Sequence, residues 1–217
     1  MKTTINKREI FTASQLRLRE IDGQEESRTI TGYAILFDVP SAPLYEDEEE
    51  VIREVIAPEA VSLELLDKSD IKMTMFHDRQ LLLARSNKGS GTLSYGIDDK
   101  GVYFEFEAPD TADGDKAIEL VKRGDIAGCS FAFSTSYYDR AFVEESVVHG
   151  DKVEVTYRVK VITGIYDFTL AADPAYPDTS VEAREIVDAL HQRRQRENEK
   201  IEKQIAEMRR AASASID

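Results

Sequence analysis

The chain holds a single cysteine, Cys129, in 217 residues. An internal disulfide is therefore excluded, and so is a metal site built on several thiolates. No apolar run approaches the ~20 residues that a membrane-spanning helix needs. The opening Met1-Lys2-Thr3-Thr4-Ile5-Asn6-Lys7-Arg8 lacks the apolar stretch of a secretory signal. A soluble, intracellular protein with no membrane partner is expected. Positive charge is scarce: 28 Lys and Arg stand against 42 Asp and Glu, a formal net charge of -14. Phosphate contacts need clustered cations, so a general nucleic-acid surface is excluded and the expected partner is a protein. There is no nucleotide fingerprint, phosphate loop, metal-spaced ligand set or internal repeat, and no cofactor is expected.

What the chain does hold is a strand-rich body of ordinary core size, with 41% hydrophobic residues. Leu16 to Ile21 alternates apolar and polar residues; Asp22-Gly23 then turns toward a second run, Thr29 to Phe37. The acid run Glu46 to Glu50 reads as a solvated, mobile loop. Pro58 followed by Glu59 reads as the opening of a short helix through Leu66. Short apolar runs flank His77, and Thr92–Ile97 pairs with Val102–Glu107 across Asp98-Asp99-Lys100-Gly101. Asp113 is expected to cap a helix from Gly114 to Arg123 that Gly124 ends. Strands Cys129–Tyr137, Lys152–Lys160 and Ile162–Leu170 follow. The pattern predicts a mainly β, α+β body closed or nearly closed into a barrel.

After Pro177 the character changes. Thr179-x-x-Glu182 is a capping-box pattern, and the next thirty or so residues contain neither Gly nor Pro. One long helix is expected to about Arg210, with a disordered end at Ala211–Asp217. Its apolar residues fall into two groups, Ile186, Val187 and Leu190, then Ile201, Ile205 and Met208. The boundary is placed at 178/179, giving a body of 1–178 and a helical tail of 179–217.

Alternation decides which side chains can meet. Around Ser130, the residues Cys129, Phe131 and Phe133 face one way, while Ser130, Ala132 and Ser134 face the other, a small and open side. Around Asp167, Phe168 and Leu170 are apolar, with Asp167, Thr169 and Ala171 opposite. Of three histidines, His149 lies beside Gly150-Asp151 in a hairpin tip and His191 in the tail, leaving His77 at the end of an apolar strand. Asp78 is poorly placed to orient it, because successive strand side chains face opposite ways. Serine, histidine and carboxylate are the inventory of a hydrolase with an activated hydroxyl. Each of the three, taken alone, is more often structural, and these residues by themselves leave the choice open.

A resemblance weighs in here. Leu120-Val121-Lys122-Arg123-Gly124-Asp125-Ile126-Ala127-Gly128-Cys129-Ser130-Phe131-Ala132-Phe133 resembles the nucleophile segment of the tailed-phage prohead proteases. Gly32-Tyr33-Ala34-x-x-Phe37 resembles that family's early strand, and Phe76-His77-Asp78 its histidine segment. Asp167-Phe168-Thr169-Leu170 through Asp173-Pro174-Ala175-Tyr176-Pro177 resembles its closing strand and Pro-Ala turn. The resemblance implies a herpesvirus-protease-like β-barrel with a few helices and a long C-terminal helix. It implies a serine endopeptidase that trims phage scaffold and major capsid proteins inside the procapsid, in the host cytoplasm, with a homo-oligomer left open. Carried over by motif, Ser130 is the nucleophile and His77 the general base, with Asp167 as third member where the family more usually has Glu. The related herpesvirus enzymes use a second histidine there, which makes His149 the alternative; Cys129 is the alternative nucleophile. The competing reading is a catalytically inactive procapsid or scaffold component with the same fold.

Overall fold

The computed structural model describes residues 6–12, 16–19, 27–172 and 181–214, with side chains at 16–19, 27–172, 191–208 and 210. In chain order come β1 (Asn6–Thr12), β2 (Arg17–Leu18), β3 (Thr29–Leu36), β4 (Tyr45–Glu46) and β5 (Glu50–Ile56). A single 3-10 turn at Pro58–Ala60 and helix α1 (Leu63–Lys68) precede β6 (Asp70–Met75), β7 (Asp78–Asn87) and β8 (Ser90–Gly91). Then follow β9 (Leu93–Asp98), β10 (Gly101–Glu107), α2 (Ala112–Arg123) and β11 (Gly128–Thr135). Strands β12 (Val143–His149), β13 (Val153–Val159) and β14 (Gly164–Ala171) lead to α3 (Val181–Ala214).

The architecture is mainly β, in three sheets with strand orders β1-β11-β14-β6-β7-β8, β2-β3-β10-β9 and β12-β13-β5-β4. The expected barrel is corrected to this extent: among the described residues no hydrogen-bonded ring of strands closes. The three sheets instead enclose one apolar core. Phe104 of the second sheet meets Phe168 of the first, ring centroids 6.4 Å apart. The third sheet adds Ile52, Ile56, Val155, Tyr157 and Val159. Burying each such large side chain stabilises the fold by roughly 1.5–3 kcal/mol.

Local chemistry explains the clearest elements. Asp98 Oδ1 accepts from the backbone N–H groups of Lys100 (2.8 Å) and Gly101 (3.1 Å), closing the β9–β10 turn. Gly101 has φ 155°, and a Cβ there would lie 1.9 Å from the Ile35 carbonyl oxygen, so only glycine lets β3 approach. Helix α2 is capped by Thr111, whose hydroxyl accepts from Gly114 N–H, and not by Asp113, which lies in its first turn. Gly124 stops it in the left-handed conformation, φ 78°.

Three expectations change, and three strands are added. The acid run is an ordered turn, because Asp47 Oδ1 accepts from Glu49 and Glu50 N–H and Glu46 pairs with Lys152. Strands β1, β5 and β12 carry weak alternation, and their strand character comes from their neighbours. The helix foreseen after Pro58 is broken at Val61, which is extended, and restarts at a Ser62 cap. Helix α3 continues to Ala214, beyond Arg210, because alanine is the best helix former and no breaker intervenes. The turn at Asp22-Gly23, the Pro-Ala turn, the Thr179 cap, the 178/179 boundary and residues 215–217 lie outside the described residues.

Helix α3 is fastened to the body by charge. Arg193, 5% exposed, donates from Nη1 to the Tyr137 carbonyl at 2.6 Å. Arg194 donates to Glu50 (2.6 Å), Glu145 (2.9 Å) and the Tyr157 hydroxyl (3.3 Å), and His191 Nε2 lies 3.2 Å from Glu50. Beyond them Ile201, Ile205 and Met208 are exposed. Arg193→Ala, which removes this buried, charge-assisted hydrogen bond, should lower unfolding free energy by about 1.5–3 kcal/mol. Arg140→Ala, at the exposed Glu197 pair, should lower it less; urea titrations of both variants test the ranking.

Candidate active site

All eight residues of β11 are buried. Cys129, Phe131 and Phe133 face the core, the two phenylalanine rings stacked with centroids 5.0 Å apart. The opposite side carries Ser130, 1% exposed, and Ala132, 0% exposed. That side is small, as alternation implies, but it is not open. β11 is an interior strand: β1 pairs along its whole length, with Phe11 opposite Ser130. The Ser130 hydroxyl is buried and has no hydrogen-bond partner among the described residues. A buried hydroxyl left unsatisfied is costly, and such groups collect at reactive sites.

β14 runs antiparallel to β11 and parallel to β6. Ser130 stands opposite Thr169, which stands beside Thr74, while Ala132 stands opposite Asp167, which stands beside Lys72. These residues share one face, since paired strand residues point the same way. A bulge at Tyr166 shifts the phase, so Ile165 and Phe168 both enter the core while Asp167 faces the serine side. Asp167 is 7% exposed. The Lys72 ammonium is held by Asp70 at 2.9 Å. The Arg85 guanidinium, with Lys72, keeps the Asp70 carboxyl well below the usual carboxylate range.

His77 is not at a strand end. β6 stops at Met75, which pairs with Asp78, so Phe76 and His77 are the two central residues of a hairpin turn. Both have positive φ, 55° and 56°. Asn and Gly fill such turns readily; for other residues the left-handed region costs roughly 1–2 kcal/mol each. The turn is tied to β14. Phe76 N–H donates to the Leu170 carbonyl (3.0 Å) and His77 N–H to Thr169 Oγ1 (3.0 Å). Thr169 Oγ1 in turn lies 2.6 Å from Thr74 Oγ1. His77 Nδ1 lies 3.3 Å from Asp167 Oδ1. That contact is within ion-pair reach but slightly long for a hydrogen bond, as such contacts often are without substrate.

The caudovirus prohead serine protease family matches residues 14–193. The chain belongs to this family. Among solved structures, the bacteriophage T4 capsid assembly protease gp21 aligns with a TM-score of 0.40 and 10% sequence identity, covering 76% of this chain and 98% of that one. No curated protein shows significant sequence similarity to the chain.

Within this prohead protease family member, the remaining sequence candidates lie elsewhere. Cys129 packs among the core residues, its Sγ 3.4 Å from the Ser130 carbonyl, and burial pushes its thiol well above the ordinary range. His149 is exposed at the tip of the β12–β13 hairpin, in the third sheet. His191 serves the α3 contact with Glu50. Asp78 accepts from Gln80 N–H. No three His, Cys, Asp or Glu among the described residues are grouped to hold a metal ion. Thr74 escaped the sequence reading, and Thr169 was placed on the polar face but given no role. Thr169 was visible as a polar residue two places from Asp167 on the same face; nothing local signals Thr74. Iodoacetamide at about pH 8 should leave Cys129 unmodified in the folded protein and label it fully in denaturant, as read by mass spectrometry, since only an accessible thiolate reacts.

Proposed function

We propose that the protein is a serine endopeptidase of capsid maturation that cleaves phage scaffold and major capsid proteins inside the procapsid, in the host cytoplasm. Membership of the family supports the class of activity. One observation carries the assignment of roles: Asp167, 3.3 Å from His77, lies on β14, the strand beside β11 and its buried Ser130 hydroxyl, which has no hydrogen-bond partner among the described residues. On this reading Ser130 Oγ attacks the scissile carbonyl carbon while His77 Nε2 takes its proton. Asp167 holds Nδ1–H and stabilises the imidazolium. Collapse of the tetrahedral intermediate breaks the C–N bond, with His77 returning the proton to the leaving amine. Water, deprotonated by His77, then releases the acyl group and restores Ser130.

We read the three sheets as an opened form of the herpesvirus-assembly-protease barrel. The common core and the isolated Phe37–Ile56 bridge, which ties the end of β3 to β5, support this. Residues 1–178 would be the catalytic body and 179–217 a tail for assembly or delivery. The exposed Ile201, Ile205 and Met208 suit helix contact with a scaffold.

Three experiments test these assignments. Incubated with the scaffold or capsid protein of the same phage, the wild type should give defined cuts and Ser130→Ala none, with unchanged unfolding curves. Asp167→Asn should lower kcat by about 10³–10⁴-fold, because the amide supports the wrong tautomer, and His149→Ala should stay near wild type. The opposite result for this pair would move the third role to His149. A folded wild type that co-assembles but never cuts would be a silent procapsid component. Truncation after Lys200 should preserve peptide hydrolysis and reduce packaging into procapsids. Truncation after Leu190 also deletes His191, Arg193 and Arg194, and should lower stability as well. Packaging at the full-length level after the Lys200 cut would remove the delivery role.

A further inference from the structure

We propose that Thr169 is the positioning residue that sets His77 against Ser130, by accepting the His77 backbone N–H and so locking the strained hairpin turn onto β14. The proposal rests on the protease reading above. Its starting point is that Phe76 and His77 are both left-handed, a conformation uncommon outside glycine and least suited to a bulky residue such as Phe76. Strained backbone of this kind persists only where the surroundings over-determine it.

β14 gives the turn three contacts: the Leu170 carbonyl to Phe76 N–H, Thr169 Oγ1 to His77 N–H, and Asp167 Oδ1 to the imidazole. The first is available to almost any sequence, because it uses main chain alone. Asp167 grips the ring but leaves the backbone that carries it unfixed. Thr169 supplies the missing point: with Asp167 two residues away on the same face, it clamps His77 at main chain and side chain together. Thr169 is 0% exposed, so water cannot replace its hydroxyl. Thr74 Oγ1 lies 2.6 Å from that hydroxyl, within hydrogen-bond reach. On its other side Thr169 faces Ser130 across the β11–β14 pair, so one side chain refers the base and the nucleophile to the same row of the sheet. Misplacing reacting groups by about 1 Å can cost about 10²-fold in rate.

Thr169→Val keeps the shape and removes the acceptor; Thr169→Ser keeps the acceptor. The valine variant should lose about 10- to 100-fold in kcat on a cleavable peptide with KM near wild type, while the serine variant recovers to within a few-fold. His77 amide hydrogen exchange, read by NMR, should speed up at least about tenfold in Thr169→Val and not in Thr169→Ser. Wild-type kcat in Thr169→Val, a still-protected His77 amide there, or a serine variant as impaired as the valine one would overturn the proposal. Should Thr169→Val fail to fold, Thr74→Val carries the test, with a smaller fall in kcat and faster His77 exchange expected and unchanged values overturning it. Labelling of wild-type Ser130 by a fluorophosphonate is measured first. If the wild type neither labels nor cleaves, the protease reading fails by itself, and the His77 exchange rates alone decide whether the lock exists.

Discussion

The pairing of β14 with β11 on one side and β6 on the other is the interaction on which the rest of the structure depends. One face of this triple-strand unit carries Phe131, Phe133, Phe168, Leu170, Met73 and Met75 into the core, each essentially inaccessible to water. The other face carries Ser130, Asp167, Thr169 and Thr74. Because side chains alternate with a period of two, the hydrophobic burial that fixes the register of one face also fixes the other. A slip of one residue in β11 would turn Phe131 and Phe133 out of the core, so the packing of one face also holds the polar row of the other.

Two irregularities complete that face. The bulge at Tyr166 adds a residue to β14, which lets Ile165 and Phe168 share the core while Asp167 turns to the serine side. The Phe76-His77 turn swings an imidazole from the end of β6 over its neighbour. Both cost local stability, and both sit where hydrogen bonds from β14 hold them. Each of these two departures from regular geometry re-aims a side chain toward that face.

The tail helix is joined to the same strand by a longer route. Arg193 donates to the carbonyl of Tyr137, two residues after β11, and the Tyr137 hydroxyl donates to buried Glu54 of β5 at 2.5 Å. Helix docking on the third sheet therefore bears on the far end of the strand that carries Ser130. Among the described residues of α3, buried Arg193 is an anchor.

Sequence patterning by itself determined the mainly β class, the β3, β6, β9, β10, β11, β13 and β14 segments, the helix stop at Gly124, the long final helix, and the division of β11 and β14 into core and polar faces. All of these follow from chemistry within a few residues: alternation, turn residues, an absence of breakers. The motifs also sufficed for the family. What only the tertiary structure decided is which strands became neighbours: β1 beside β11, β5 beside β13, Thr74 beside Thr169, and Glu50 beneath Arg194. It also decided that the barrel stays open among the described residues, that the Ser130 side is covered, and that His77 stands in a strained turn. None of these has a local signal, because each rests on hydrogen bonds or ion pairs between residues dozens of positions apart, whose partners exist only once the sheet has formed.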